Sequence, residues 1–360
     1  PPALLATDVG PVIDAAAQAG LEAHIGRMRA TGHKVLQLPL PEECSAGTFV
    51  APTLIELRSI AELEREVFGP VLHVVRYRRE DLDRLLDDIN ATGYGLTLGV
   101  HSRIDETIAL VVSRARAGNV YVNRNIVGAV VGVQPFGGEG KSGTGPKAGG
   151  PLYLQRLVRA PVIVPAALLA SRAPRPAPEL PALAALEEWA TASGRGGLAA
   201  TCRDYRAATL LDHSVPLPGP TGEVDTLRFA ARGALGCSAG NAAQLLDQIA
   251  AALASGNDIV VEGTGAAAAL LPQLPAAVRA RIRPAADLLE EPVSLLLAAG
   301  AAAAIAQLRH AFAARAGALV PVIAADRDGR YPLHRLVVER SLSVNTAAAG
   351  GNASLMTLTP

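Results

Sequence analysis

The sequence predicts an α/β protein, and three observations carry that expectation. Helix-period and strand-period segments alternate along most of the 360 residues, half of those residues are hydrophobic, and glycine punctuates the ends of the first helical segments. The material suffices for two domains of ordinary size.

The elements follow in order. VGPVIDAAAQAGLEAHIGRMRATG (9–32) has apolar residues at helical spacing and ends on Gly32, a C-cap residue. KVLQLPL and TFVAPTLIEL read as short strands, and VLHVVRY (71–77), rich in β-branched residues, as a third. DLDRLLDDINATGYG (81–95) is a helix with Asp81 as N-cap and Gly93 at its close. LTLGVHS is a strand, DETIALVVSRARAG (105–118) a helix ending at Gly118, and NVYVN (119–123) a strand. This βαβα order predicts a largely parallel sheet. PVIVPAALLASRAPRPAPELPAL (161–183) carries six prolines in 23 residues and reads as an extended linker or clamp. LEEWATAS is helical; TLRFAARGALGCSAG is a strand and turn, NAAQLLDQIAAALASG a helix and NDIVVEG a strand. Alanine-rich helices, the strand ALVPVIAAD (318–326) and a tail at 335–358 read as strand, loop and strand complete the chain.

Composition narrows the function classes. Lys+Arg and Asp+Glu balance at 33 each, which argues against contact with nucleic acid driven by bulk charge. Cys44, Cys202 and Cys237 are scattered, as in a reducing compartment, and form neither a disulfide framework nor a zinc site. Cys44, in PEECSAG, has no base beside it in the sequence, and Cys237 reads as a small buried hydrophobe. His213 and His334 lack partners at metal spacing, so no metal is expected. The apolar runs are too short for a transmembrane segment, and the first residues lack the basic and apolar regions of a signal peptide. A cytoplasmic protein is the expectation.

PFGGEGKS (135–142) nearly matches the phosphate-binding pattern G-x-x-x-x-G-K-[ST]. Pro135 stands where the first glycine belongs, and proline has a fixed φ and no amide to donate. The stretch is expected to be a tight turn with no bound phosphate.

EREVFGPVLHVVRY (64–77), NATGYGLTLGVHS (90–102), AGNVYVNRN (117–125) and QPFGGEGKSGTGPKAGGP (134–151) together resemble the aldehyde dehydrogenase superfamily. DVGPVID, NRNIVGAVVGVQPFGG, SGTGPKAGGPLYL and ERSLSVNTAAAGGNASLM are similar, within it, to bifunctional bacterial flavoenzymes of proline catabolism. In those, FAD serves an upstream proline dehydrogenase part, and NAD serves oxidation of L-glutamate γ-semialdehyde to glutamate. The resemblance implies that residues 1–160 are the C-terminal part of an aldehyde dehydrogenase catalytic domain and 161–195 a linker. It makes 196–334 a degenerate aldehyde-dehydrogenase-like, Rossmann-like domain and 335–360 a C-terminal motif tail. It also implies that the nucleophilic cysteine lies upstream, that the chain is inactive alone, that its partners include the upstream domains of the parent, and that the parent forms a homo-oligomer.

The resemblance assigns residues to roles. Glu66 would accept hydrogen bonds from the nicotinamide ribose hydroxyls, a task that suits two carboxylate oxygens, and Phe68 would pack near the nicotinamide. Read without the resemblance, Glu66 is a solvated charge. Gly128 and Ala129 would hold the substrate carboxylate through backbone amides, which small residues let an anion approach. Phe136 would line the aldehyde tunnel, the alternative being core packing. Asn123 and Arg124 would order the loop before the glycine. In active members a lysine follows the strand equivalent to NDIVVEG; here Glu262, Gly263 and Thr264 stand instead, so the second domain is expected not to bind NAD. The alternative function is structural, a module that seals an internal tunnel and assists assembly.

Overall fold

The computed structural model describes residues 5–158, 179–326 and 328–346 and divides after Thr92 into two compact units. In the first, helix α1 (Ala15–Ala30) starts at Asp14, whose carboxylate accepts a hydrogen bond from the Ala17 amide at 2.7 Å. It ends before Gly32, which takes φ +80°. Its buried residues Leu21, Ile25 and Met28 pack with Val50, Ile55 and Leu57. Strands β1 (Lys34–Gln37), β2 (Thr53–Leu57) and β3 (Val71–Val75) form a small sheet, β1 antiparallel and β3 parallel to β2. Helix α2 (Leu82–Ala91) follows; Asp81 occupies its N-cap position without a capping side-chain bond, because a 3-10 turn (Arg79–Asp81) leads into the helix there.

The second unit begins with strand β4 (Tyr94–Gly95), strand β5 (Thr97–Val100), helix α3 (Asp105–Arg114), strand β6 (Asn119–Val122) and strand β7 (Glu139–Gly140), which pairs with β4. Helix α3 stops four residues short of Gly118. That glycine is required for a different reason, since a Cβ there would collide with the Gly137 carbonyl. The stretch 161–178 of the expected linker lies outside the described residues. Residues 181–192 of it form helix α4 (Pro181–Ala192), whose Leu183, Leu186 and Ala190 share one core with Cys202 of helix α5 (Gly196–Ala208). The helix read in LEEWATAS thus begins earlier, at Pro181, because Leu183 as well as Leu186 is buried.

After α5 come β8 (Ser214–Leu217), where no element was expected, and β9 (Glu223–Ala231) and β10 (Ala234–Ser238), where TLRFAARGALGCSAG was expected to be a single strand and turn. Gly233 at φ +112° breaks the run into two. Helix α6 (Ala242–Ala254), strand β11 (Asp258–Glu262), short helices α7 (Ala266–Leu270) and α8 (Ala276–Arg279), strands β12 (Ile282–Ala285) and β13 (Leu295–Ala298), helix α9 (Ala302–Ala313) and strands β14 (Val322–Ala324) and β15 (Val337–Asn345) complete the unit. The sheet ordered β12-β11-β10-β13-β14 is parallel throughout, whereas in the first 155 residues, from which the alternation predicted a largely parallel sheet, β2–β3 and β5–β6 are parallel and β1–β2 is antiparallel. Leu295 and Leu297 face a core with α4, α5 and α6, and Leu296 and Ala298 face Ile305 and Phe312 of α9.

The other sheet joins distant parts of the chain in the order β5-β6-β15-β9-β8. The tail strand β15 lies between β6, to which it is parallel (Ser341↔Asn119 to Val344↔Val122), and β9, to which it is antiparallel along nine residue pairs. The second strand expected in the tail falls outside the described residues. Among the described residues no helix is long and apolar enough to cross a membrane.

Candidate functional site

The glycine-rich stretch 135–142 is held from below by buried polar groups. Asn119, at the start of β6, donates to the Pro135 carbonyl at 3.0 Å, and its Oδ1 accepts from the Gly137 amide and from Lys147 Nζ. Ser341 Oγ of β15 donates to the same Pro135 carbonyl at 2.7 Å. The amides of Phe136, Gly137, Lys141 and Ser142 are engaged by Ala148, Asn119, Gly93 and Glu139, so they are turned inward and form no phosphate cradle. Lys141 and Ser142 have definite partners too: Lys141 Nζ lies 5.0 Å from the Tyr94 ring centre, and Ser142 Oγ accepts from the Gly95 amide.

Lys147 is 2% exposed, and burial pulls its ammonium down to about 8 despite the Glu339 charge. Its backbone amide donates to Glu339 Oε2 at 2.9 Å, and burial pushes the Glu339 carboxyl up. Arg340, next on β15, forms a two-pronged pair with Glu139, 201 residues away, at 2.5 and 3.0 Å.

The loop after β6 is fixed at both ends. Asn123 takes φ +55° and its side chain closes on the Ser102 amide and carbonyl, both at 2.9 Å. Arg124 Nη1 lies 2.7 and 2.8 Å from the two Glu223 oxygens, and its guanidinium is 4.9 Å from the Tyr121 ring centre. Gln134 donates to Glu223 Oε1 at 2.5 Å and accepts from the Val130 amide at 2.9 Å. Between these anchors Ile126, Val127, Val130 and Val131 are exposed. Gly128 takes φ +69° with open space where a Cβ would stand, and Ala129 is half-buried. Phe136 is half-buried and bridged to Ala148. Burial raises the neighbouring Asp225 carboxyl to about 6.

In the first unit, Glu66 and Phe68 lie on the turn before β3. Glu66 is exposed with no hydrogen-bond or ion-pair partner among the described residues, and Phe68 is 84% exposed. A Cβ on Gly69 would press on the Leu21 side chain of α1, so a larger residue there would have to displace the Leu21 methyl groups. A free carboxylate and an open ring two residues apart fit a ribose diol and a flat heterocycle.

Cys202 and Cys237 are buried; burial raises the Cys202 thiol to about 12 and pushes Cys237 up as well. Among the described residues no group of three histidines, cysteines or carboxylates could hold a metal ion. Sequence reasoning missed Glu223, Gln134, Lys147 and Glu339. The alternation VVERSLSV held one signal, since it puts Glu339 on the same buried face as Val337 and Ser341.

Residues 1–162 match the model of the aldehyde dehydrogenase family. The bifunctional protein PutA of Rhizobium meliloti is 47% identical over 99% of this chain, which spans 29% of that protein's length. The 1-pyrroline-5-carboxylate dehydrogenase of Bacillus thuringiensis is 39% identical over 42% of the chain, again 29% of its own length. The solved structure of proline utilization A (PutA) from Corynebacterium freiburgense superposes on 89% of the chain and 30% of its own, with TM-score 0.63 and 25% identity. Residues 1–162 are thus similar to the aldehyde dehydrogenase family, within a chain that is similar over 99% of its length to a segment of the bifunctional protein PutA of Rhizobium meliloti.

Proposed function

We propose that the chain is part of an NAD-dependent L-glutamate γ-semialdehyde (1-pyrroline-5-carboxylate) dehydrogenase that works in proline catabolism to glutamate. The observation that carries the reading is the loop 123–134: it is tied at both ends, and between them an exposed, left-handed Gly128 leaves its backbone open to an anion. Gly128 and Ala129 would hold the substrate carboxylate and Phe136 would flank its aldehyde arm. Glu66 and Phe68 would hold the ribose and ring of the nicotinamide, which when bound accepts the electrons of aldehyde oxidation. As the family resemblance implies, this reading assigns the nucleophile to another part of the parent protein, together with its flavin-dependent proline dehydrogenase; burial raises the thiols of Cys202 and Cys237, which suits neither to that role. The chain alone would then be inactive.

One observation favours a second, structural reading beside it. Strand β15 is built into the same sheet as β6 and pins the glycine-rich stretch through Ser341, Glu339 and Arg340, as expected of a module that closes and stabilises the catalytic part. The all-parallel second region, with Glu262 and Gly263 where a ribose-binding lysine would be, serves that role in this reading without binding NAD.

The test uses the full-length parent. Glu66→Ala should raise KM for NAD about tenfold and leave KM for the semialdehyde and flavin-dependent proline oxidation unchanged. Gly128→Val, a β-branched residue at a left-handed position, should raise KM for the semialdehyde and spare NAD. Unchanged kinetics in both variants would remove the assignment.

A further inference from the structure

We infer that Glu223, at the start of β9 in the second α/β region, is a positioning residue for recognition of the substrate carboxylate; the inference rests on the reading of loop 123–134 just given. A single carboxylate ties the two ends of that loop. It takes Arg124 at 2.7 and 2.8 Å and Gln134 at 2.5 Å, and Gln134 passes the restraint inward by accepting from the Val130 amide at 2.9 Å. Those partners are 99 and 89 residues away in sequence, so the restraint is supplied by a different region of the chain.

Glu223 is itself held firmly. It faces Asn345 at one end of a nine-residue antiparallel pairing, and the turn before it is closed by Glu223 N–H to the Pro220 carbonyl (3.0 Å) and Thr346 N–H to the Gly222 carbonyl (2.7 Å). The Arg124 and Glu223 side chains are 14% and 11% exposed, so the pair is shielded and its geometry matters more than in a surface pair. The loop centre is held by bonds within the loop, such as Val127 N–H to Asn125 Oδ1 at 3.3 Å, with Val127 and Val131 almost fully exposed and nothing within 4 Å of where a Cβ would stand on Gly128. The amides that would face an anion therefore take their arrangement from the two ends, and the ends take theirs from Glu223. Neutralising Arg124 also keeps its charge from capturing the substrate carboxylate in place of the amides. The second α/β region thus contributes to choosing a carboxylate-bearing aldehyde, although Glu223 touches no reacting atom.

The experiment compares Glu223→Ala, Glu223→Gln and the swap Arg124→Glu with Glu223→Arg in the full-length parent, with Gly128→Val as reference. Glu223→Ala should raise KM for the semialdehyde about tenfold, with kcat, KM for NAD and KM for propanal, an aldehyde without a carboxylate, within about twofold. Glu223→Gln, which keeps the contact with Gln134 and loses the ion pair, should give a smaller rise, and the swap should recover part of the loss. If Gly128→Val raises the semialdehyde KM and the Glu223 variants do not, the positioning role is overturned while the loop assignment stands. If Gly128→Val is also silent, the loop assignment falls first. Parallel loss of kcat and of propanal turnover in every Glu223 variant that folds would reduce Glu223 to a stability residue and overturn the inference.

Discussion

The sheet β12-β11-β10-β13-β14 and the sheet β5-β6-β15-β9-β8 have equal strand numbers and different interiors. The first is dry: Leu235, Ile259, Leu295, Leu296 and Leu297 are all but inaccessible and point to two apolar cores. The second carries Asn119, Asp225, Glu339, Ser341 and Ser343 among its buried residues, and charged or polar groups run from it to both loops of the candidate site. A dry sheet gains stability from non-directional burial, whereas a polar one fixes direction, because a hydrogen bond has one good geometry. The difference assigns support to one sheet and positioning to the other.

The largest expected effect is in the polar sheet. Lys147→Met keeps the length of the side chain but removes its bonds to Asn119 and to the Gly137 carbonyl, and leaves Arg232 to offset the buried Glu339 without the Lys147 charge. The two lost bonds come from a charged donor and are worth about 1.5–3 kcal/mol each, while the Lys147 backbone bond to Glu339 is kept. Denaturant unfolding of the full-length protein should show that loss, and hydrogen exchange should rise first at 137–147 and at 339–341. A loss below about 1 kcal/mol would mean the polar network orders nothing.

In the dry sheet, Leu297→Ala should cost about 3 kcal/mol, the usual penalty for a buried cavity. Its signature separates it from Lys147→Met: a lower thermal midpoint, with KM for NAD and for the semialdehyde unchanged in the fraction that folds. A shift in either KM would show that the dry sheet also positions the site, and the comparison would fail.

The dry sheet was legible at β10, β11 and β14, where the signals are local, and not at β12 and β13, where the sequence was read as alanine-rich helices. NAAQLLDQIAAALASGNDIVVEG contains its own N-cap, Asn241 accepting from the Gln244 amide at 3.0 Å, its own stop at Gly256 (φ +70°) and an apolar strand. The polar sheet was not legible, since the pairing of β15 with β6 depends on residues more than two hundred positions apart, and no periodicity encodes that register. Gly118 illustrates the same limit. A glycine after a helix reads as a cap, and only the approach of Gly137 shows that it is needed for backbone contact. In the candidate site, the loop around Gly128 and the turn at Glu66 could be singled out from motif resemblance. Their supports could not, because Glu223 and Glu339 look like ordinary strand charges until their partners are known.

The smallest predicted effect concerns pH and belongs again to the polar sheet. His334 lies on a 3-10 turn (Leu333–Arg335) leading into β15, and burial, reinforced by Arg335 and Arg156, lowers its imidazole to about 4. Arg335 is itself lowered to about 10 by burial and its basic neighbours, and its carbonyl accepts from Arg232 Nε at 2.9 Å, so the surroundings are already cationic. A histidine that is neutral when folded and titrates near 6.5 when unfolded binds more protons in the unfolded state between those values. Stability therefore falls as pH drops from about 6.5 toward 4, by at most about 3 kcal/mol and by less where solvent reaches the ring. Asp225, raised to about 6, contributes the opposite slope in part of that window, because folded protein then holds the extra proton. The useful quantity is consequently the difference between wild type and His334→Gln. Urea midpoints measured from pH 7 to pH 4 should converge or cross as the variant escapes the acid penalty. Parallel curves would place the acid sensitivity elsewhere, and a larger flattening from a substitution in the dry sheet would break the division of labour between the two sheets.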